Sequence, residues 1–452
     1  MTNTAQAAIS QAFRVEKPRF DARTRTASFP FLLGTQRFTE SLVFPKTTNI
    51  NIAQTAVFQD VLNMTALVLG VSYFKLTAPF EIEVLGFDLT KSEHAFTIDL
   101  YENGLAEFYA RNNLQRFGRL TLHASISARN LPAAKPALDD KILLPIGGGK
   151  DSLVSVQLLE KAGLTYTPFA VNPKGPILSS VEVIGKPGIY VERRLDPEMI
   201  RLSSQAGYYN GHVPSTAINS MIAALVALLR GFDTIALSNE RSASEGNVAF
   251  DGRIANHQYS KSIAFERNIA NILSQATHGA ISYFSLLRPY SEAKIASLFA
   301  RETRFDQAFS SCNQNFRLAG HDGALWCGAC PKCHFTFLIL APQMAKQRLV
   351  SIFDQNLLDQ TQHEKAYREL TGLCGQKPWE CVGEILEAAA CLWILSKQIE
   401  WQNARIVQDL KNDLERHYGA EHLELAYKAL MADSPEHHIP AHVLKRVTPY
   451  AH

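Results

Sequence analysis

The sequence predicts an α/β protein built around a central doubly wound parallel sheet, with an N-terminal α+β domain and a helical C-terminal region. Between residues 139 and 340, short apolar runs alternate with amphipathic segments, which is typical of parallel strands whose connecting helices cover both faces of a sheet. Short apolar and polar stretches alternate before this region, as in strands with a few helices, and after it the periodicity is mostly helical. We therefore predict three domains, at residues 1–138, 139–340 and 341–452.

The elements of the central region follow from the runs themselves. Strands are predicted at "ILLPI", "YTPFAV", "DTIALS" and "ISYFSLL". Helices are predicted near residues 151–162, 215–230, 260–277 and 291–301. The stretch "SARNLPAAKPALDDK" (127–141) combines prolines, small residues and charges, which predicts a linker between the first two domains.

Composition limits the classes of function. The chain has 452 residues and a formal net charge of +2, so no charge excess points to a nucleic-acid partner. We find no apolar run near the roughly eighteen residues of a membrane span, and expect no membrane association. Seven cysteines, four of them between residues 312 and 333, fit a reducing compartment, so we expect a cytoplasmic protein. The sequence does not indicate an oligomeric state.

The segment "LLPIGGGKDSLVS" (143–155) joins a predicted strand to a predicted helix. Glycines let the backbone approach a ligand, and the free N–H groups of a first helical turn face an anion, so this position suits a phosphate. The mononucleotide and dinucleotide glycine motifs both fail here. The segment resembles the S-G-G-x-D-S loop of the ATP pyrophosphatases, the PP-loop family, with Gly147 where that family usually has serine. The alternative is a tight turn that Asp151 or Ser152 caps.

Four cysteines form a second candidate site. Cys327, Cys330 and Cys333 in "WCGACPKCHF" are spaced to present three thiolates to one ion, and Cys312 can complete a tetrahedron. This pattern favours a structural zinc. An iron–sulfur cluster uses similar spacings, His334 can replace Cys312 as the fourth ligand, and a group of free buried thiols is a further alternative.

Two polar clusters follow predicted strands, where ligands of parallel sheets bind. "SNERSAS" comes directly after "DTIAL", and "NHQYSK" places His257 and Lys261 one helical turn apart. A surface ion pair and a solvated helix start are the alternatives. The candidate substrate-binding residues of this region are Asn239, Glu240, Arg241, Asn256 and Arg288.

Together with "SLLRPYSE" and "FSSCNQNF", these segments resemble the MurL family of UDP-N-acetyl-α-D-muramoyl-L-alanyl-L-glutamate epimerases. The similarity runs from about residue 60 to 385, and the tail at 386–452 is longer than we expect for the family. The resemblance implies an isomerase of peptidoglycan synthesis. An enzyme of this family is expected to convert the terminal L-glutamate of a UDP-linked muramoyl dipeptide, which is a small-molecule substrate, to D-glutamate. The reaction is expected to consume ATP with Mg²⁺ and to release AMP and pyrophosphate.

The resemblance implies roles for the loop residues, and residue chemistry suggests the other roles. The residues expected to bind ATP are Gly147, Gly148, Gly149, Lys150, Asp151 and Ser152; of these, Gly148, Gly149 and Ser152 are expected to hold the leaving pyrophosphate, and Lys150 adds charge. Asp151 is expected to bind Mg²⁺, and Arg241 or Arg288 to clamp a substrate carboxylate. His257 and Lys261 are the candidates for proton transfer, and Cys312 is a further candidate if it is a free thiol.

Two other functions stay open at this point. Another PP-loop ligase or amidating enzyme, acting on a nucleobase or tRNA, would use the same adenylation. A tRNA enzyme is expected to have a basic surface, which the net charge of +2 does not favour. A non-catalytic nucleotide-binding regulator is the other alternative, and the intact Lys-Asp-Ser sequence disfavours it.

Overall fold

The computed structural model describes residues 12–46, 51–128, 135–316 and 324–452. Thirteen strands are described: β1 (Phe13–Glu16), β2 (Arg19–Asp21), β3 (Thr26–Leu33), β4 (Gln36–Val43), β5 (Glu81–Leu85), β6 (Thr121–His123), β7 (Asp139–Pro145), β8 (Tyr166–Val171), β9 (Ile189–Arg194), β10 (Phe232–Leu237), β11 (Val248–Phe250), β12 (Arg253–Ala255) and β13 (Ser282–Ser285).

The helices of the first two thirds of the chain are α1 (Ala56–Phe74), α2 (Lys91–Asn103), α3 (Ala106–Asn112), α4 (Lys150–Lys161), α5 (Gly175–Ile184), α6 (Pro197–Ser203), α7 (Ser215–Arg230), α8 (Ile263–Ala276) and α9 (Glu292–Phe299). The C-terminal helices are α10 (Pro331–Leu340), α11 (Lys346–Phe353), α12 (Glu364–Leu370), α13 (Ile385–Leu395), α14 (Arg405–Tyr418), α15 (Ala420–Leu430) and α16 (Ala441–Ala451).

Eleven strands form one large, mostly parallel sheet, and β11 and β12 form a separate hairpin. The path across the sheet is β13-β10-β7-β8-β9-β4-β3-β1-β5-β6, with β2 paired to β3. The strands from β13 to β9 are all parallel, and counted from β7 their order is 3-2-1-4-5. The chain therefore changes its direction of progress between β7 and β10, which is where ligands bind in such sheets.

The two faces of the parallel strands contribute to different hydrophobic cores. Leu143 of β7 belongs to the core that contains α1, α7 and α8, whereas its neighbour Leu144 belongs to the core that contains α4, α9 and the C-terminal helices. Because successive side chains of a strand point to opposite faces, β7 separates these two cores. The switch point of the sheet is thus covered by helices on both sides.

Most of the predicted central elements are confirmed. The four predicted strands are β7, β8, β10 and β13, and the predicted helices correspond to α4, α7, α8 and α9. The elements of this region that the prediction omitted are β9, β11, β12, α5, α6 and α10. Residues 129–134 of the predicted linker lie outside the described residues, and Asp139–Lys141 belong to β7 instead of the linker. The two boundaries between the predicted domains remain predictions, and the large sheet crosses the first of them.

Helix α1 is the one helix among the described residues that is both long and apolar enough to cross a membrane, with a mean hydropathy of 1.3. Of that segment, 89% is buried inside the protein, where it packs against β1, β3 and α7. The search for continuous apolar runs missed this segment because Gln59, Asp60 and Asn63 interrupt it. Helix α1 is part of the hydrophobic core that also contains α7 and α8.

The two halves of the large sheet meet where β4 pairs with β9, with Leu42 opposite Arg193. Arg193 Nε lies 2.6 Å from Glu40 Oε1, and its Nη2 donates to Ser72 Oγ at 3.0 Å. Glu40 is fully buried, and burial raises the pKa of its carboxyl even against the opposing charge of Arg193. Among the described residues, Arg193 is thus the cation that pairs with the buried carboxyl group of this seam.

We predict that Arg193→Ala lowers the free energy of unfolding by about 3–5 kcal/mol, because it leaves Glu40 buried without its partner. Arg194→Ala is the matched control, since Arg194 pairs with Glu192 at the surface. Its stability should stay close to that of the wild type. Urea denaturation of the three proteins measures the difference, and equal stabilities of the two variants would contradict the role of the seam.

Candidate active site

A cavity of about 550 Å³ lies at the carboxyl ends of β7 and β10. Its wall includes Pro145 and Leu237, the last residues of these strands. The predicted site residues that line it are Gly147, Gly149, Lys150, Asp151, Ser152, Asn239, His257 and Lys261. The structure thus brings the glycine loop and both proton-transfer candidates into one cavity.

The three glycines of the loop have different surroundings, and the backbone requires glycine at position 148. Gly148 has a φ of +78°, and a Cβ there would lie 2.9 Å from the backbone nitrogen of Ile177. At Gly147, by contrast, no atom lies within 4 Å of an added Cβ, so a side chain has room at the position where PP-loops usually have serine. Gly149 precedes α4 and offers no side chain to the first-turn N–H groups of that helix. These N–H groups suit an anion.

Lys150 is buried among carboxylates. Its Nζ lies 2.5 Å from Asp151 Oδ1 and also contacts Glu292, which begins α9. Burial by itself lowers the pKa of Lys150, but the charges of these two carboxylates outweigh it and raise the pKa. Burial raises the pKa of Glu292 well above its usual range, against the charge of Lys150.

Three carboxylates converge below the loop. Oxygens of Asp151, Glu240 and Glu292 lie within 4.8 Å of one another, and Glu240 Oε2 is buried without a hydrogen-bond partner among the described residues. Carboxylate oxygens are the ligands that Mg²⁺ prefers, so this group fits the cation that the sequence analysis assigned to Asp151 alone. Glu292 was not singled out from the sequence, although it follows β13 at the same edge of the sheet.

Arg288 has partners inside the protein. The guanidinium is 2% exposed and bonds Glu266, the Glu240 carbonyl at 2.5 Å and the Lys261 carbonyl at 2.6 Å. These bonds use both terminal nitrogens and fix the backbone of two cavity segments. Arg288 therefore positions the site residues and is not among the cavity-lining residues that the structure describes.

Arg241 and Asn256 also contact backbone groups. Arg241 donates to the carbonyls of Ala429 and Ala432 in the C-terminal region, and Asn256 donates to the Ala243 carbonyl at 3.0 Å. Neither is among the described residues that line the cavity. We therefore keep Asn239 as the predicted substrate contact and leave these two residues out of the proposed site.

His257 lies in a row of three polar side chains from distant parts of the sequence. Its Nδ1 bonds Glu107 of α3, and its Nε2 lies 3.6 Å from the Sγ of Cys381. Burial by itself lowers the pKa of His257, but Cys381 and Glu107 outweigh burial and raise the pKa to about 9. Nearby His212 has a pKa of about 3, lowered by burial and by the charge of His257.

The sequence analysis missed several cavity residues. Cys381, His212, Lys332 and Glu380 line the cavity, and Glu107 stands behind His257. In the sequence, "KPWECVGE" carries no feature that separates Cys381 from the other cysteines outside the cluster. His257 and Lys261 were expected at the start of a helix, but α8 begins only at Ile263.

The four cysteines of the predicted metal site do converge. Their Sγ atoms lie within 4.8 Å of one another, with Cys333 at 3.8 Å from Cys327 and 3.5 Å from Cys330. Zinc–sulfur bonds of about 2.3 Å in a tetrahedron separate the sulfurs by about 3.8 Å, so the cluster can hold zinc. Cys312 is the fourth member of the cluster and is not among the described residues that line the cavity.

The surroundings of the cluster explain two further residues. Gly328 has a φ of +68°, and a Cβ there would lie 2.0 Å from the side chain of Gln355. His334 does not replace Cys312, because its Nε2 lies 3.0 Å from Nδ1 of His363. Helix α10, which begins next to Cys330, contributes Lys332, Phe335 and Thr336 to the cavity wall. The cysteine cluster therefore lies next to a helix that forms part of the cavity wall.

We predict that Gly148→Ala abolishes nucleotide-dependent activity, because alanine strains the positive φ and its Cβ meets the backbone of α5. Gly147→Ala, one residue away in open space, should keep most of the activity. Initial rates of pyrophosphate release measure both variants. Equal losses in the two would contradict the assigned geometry of the loop.

We also predict about one tightly bound zinc per chain. Cys330→Ser should lose this zinc and lower the melting temperature, whereas Cys374→Ser, at an exposed thiol, should retain both. Elemental analysis of protein purified without added metal measures the stoichiometry. Iron with acid-labile sulfide, or zinc retained in Cys330→Ser, would contradict the assignment.

Comparison with known proteins covers nearly the whole chain. The family model for the MurL N-terminal domain matches residues 4–286, and the model for the MurL C-terminal domain matches residues 308–424. The expectation that the tail beyond residue 385 exceeds the family is therefore wrong for its larger part.

Three curated relatives have the same name, UDP-N-acetyl-alpha-D-muramoyl-L-alanyl-L-glutamate epimerase. The relative from Xanthomonas oryzae pv. oryzae is 38% identical to this chain, and the alignment covers 96% of each protein. The relative from a Micromonospora species is 40% identical over 88% of this chain and 90% of its own length. The relative from Salinispora tropica is 39% identical over 88% of each protein. The chain belongs to the MurL family.

Proposed function

We propose that this protein converts the terminal L-glutamate of UDP-N-acetylmuramoyl-L-alanyl-L-glutamate to D-glutamate in peptidoglycan synthesis. We propose further that the reaction depends on ATP and passes through an acyl-adenylate. The observation that carries this proposal is that one cavity is lined by a phosphate-type loop and by proton-transfer side chains. The names of the curated relatives support the reaction and its small-molecule substrate.

The chemistry explains why both groups are needed. The α-proton of a carboxylate is hardly acidic, since its removal places a second negative charge on the same carbon framework. Transfer of AMP to the α-carboxylate removes the first charge, and a base can then take the α-proton while an acid returns one to the opposite face. Hydrolysis of the acyl-adenylate then releases AMP and makes the overall reaction favourable.

The loop and the carboxylate cluster serve the first step. We assign the N–H groups around Gly149, together with Ser152, to the leaving pyrophosphate, which is the role of a PP-loop. The strand order of the parallel region and the strand–loop–helix setting of the loop support this assignment. Asp151, Glu240 and Glu292 would hold Mg²⁺, which neutralises phosphate charge when it is bound.

His257 and Lys261, which line the same cavity, serve the second step. Burial by itself lowers the pKa of Lys261, but the charges of Cys381 and Glu240 outweigh it and raise the pKa, so its ammonium is available as an acid. The cavity volume of about 550 Å³ is in the range of small-molecule sites. The UDP-linked end of the substrate is larger than the reacting glutamate and extends from the cavity.

We predict that solvent deuterium enters the α-position of the terminal glutamate only when ATP is present. Asp151→Asn should abolish both pyrophosphate release and deuterium incorporation, because adenylation precedes loss of the proton. Asp140→Asn, which changes an exposed residue of β7, is the control and should keep both pyrophosphate release and deuterium incorporation. Mass spectrometry of the UDP-dipeptide incubated in D₂O measures the exchange. Substantial α-deuteration without ATP would disprove the proposed order.

A further inference from the structure

We propose that Cys381 is the catalytic base that takes the α-proton of the adenylated glutamate, with His257 as its proton partner and Glu107 as a positioning residue. This inference rests on the proposed function and adds to it the group that removes the proton. The side chains form a continuous row, from Glu107 to Nδ1 of His257 and from Nε2 of His257 to the Sγ of Cys381 at 3.6 Å. Both Cys381 and His257 line the cavity that the glycine loop enters.

Side-chain contacts fix the segment that carries Cys381, which lies in neither a helix nor a strand. Gln258 donates to the Val382 carbonyl at 3.3 Å, directly after Cys381. Asn313 donates to Glu380 Oε1 at 2.6 Å, directly before it. These two contacts hold both neighbours of Cys381 in the chain, one of them to the cavity-lining residue Gln258, and so restrict the position of the Sγ.

The charges around Cys381 favour its thiolate. The groups that face it are His257, Lys261 and Lys332, with Glu107 and His212 behind the imidazole. Burial by itself raises the pKa of the thiol, but Lys261, Lys332 and His257 outweigh burial and lower the pKa to about 6.

Two other cysteines outside the metal cluster differ in this respect. Burial and the charge of Glu387 raise the pKa of Cys391 well above its usual range, and Cys374 is exposed. A thiolate that is the base near neutral pH requires the cationic surroundings that Cys381 has.

The proton transfer balances without a redox partner. The Cα–H bond breaks as the thiolate of Cys381 forms an S–H bond, and the electron pair moves into the adenylated carboxyl group as an enolate. An N–H bond of the Lys261 ammonium then breaks as a new Cα–H bond forms on the opposite face. The His257 imidazolium releases its Nε2 proton to solvent and then takes the thiol proton, which restores the thiolate and the imidazolium, and solvent returns a proton to Lys261.

Cys381→Ala and the near-isosteric Cys381→Ser test the inference against Cys374→Ser, which changes an exposed thiol. Two activities are measured with the UDP-dipeptide: exchange of labelled pyrophosphate into ATP, and α-deuteration in D₂O with ATP. Both Cys381 variants should keep pyrophosphate exchange within about threefold, and lose α-deuteration by about 100-fold or more. The control should match the wild type in both.

The outcomes separate this inference from the proposed function. If the wild type shows no pyrophosphate exchange, the proposed adenylation is wrong. If the wild type exchanges pyrophosphate and Cys381→Ser keeps α-deuteration within about threefold, adenylation stands and Cys381 is not the base. A second zinc per chain that disappears in His212→Ala would also overturn the inference, because Glu107 and His257 would then serve a metal.

The role of Glu107 is tested on the thiol itself. Iodoacetamide modification of Cys381, followed by mass spectrometry of its peptide between pH 4 and pH 9, reports the thiolate fraction. The wild-type midpoint should lie near the pKa of about 6. Glu107→Gln removes the carboxylate that keeps His257 protonated, so the midpoint should move upward. An unchanged midpoint would show that Glu107 does not act through His257 and would overturn its positioning role.

Discussion

The buried pair of Glu40 and Arg193 is the constraint on which the site depends, because it fixes how the two halves of the large sheet meet. Arg193 lies opposite Leu42, and a slip of one residue would turn its guanidinium to the other face and leave Glu40 buried alone. Glu107 of α3 belongs to the first half, whereas His257 follows strands of the second. Their contact therefore requires the register that this ion pair enforces.

The C-terminal helices hold the other side of the site. Glu387 of α13 accepts a bond from the Ala293 backbone, and Ser291 donates to the Leu430 carbonyl at the end of α15. Both contacts lie at the first turn of α9, where Glu292 meets Lys150. Two carboxylates contact the Lys150 ammonium, and Glu240 lies nearby. On the proposed function, this group of acidic side chains would let a loop that contains a lysine also hold a divalent cation.

The parts of the site that the sequence predicted are those that are local in the chain. The glycine loop and the three closely spaced cysteines are shaped by backbone geometry within a few residues, so motif and neighbours suffice. The contact of Glu107 with His257 spans 150 residues, and that of His257 with Cys381 spans 124. Only the assembled sheet brings these side chains together. Arg288 shows the same limit. Its residue type suggested that it binds a substrate carboxylate, but in the fold its guanidinium is paired with the carboxylate of Glu266.

The charges of the cavity suggest why one site can carry both proposed steps. Carboxylates gather below the loop, whereas the charges of His257, Lys261 and Lys332 act on Cys381 elsewhere in the cavity. On the proposed reaction, the loop N–H groups and a cation held by the carboxylates bind the phosphates together, and the cationic half of the cavity receives the carboxylate of the substrate. Adenylation removes that carboxylate charge, so the same cations are then free to stabilise the negative charge that develops on the enolate. Activation therefore leaves the substrate next to cations whose attraction is strongest when the α-proton leaves.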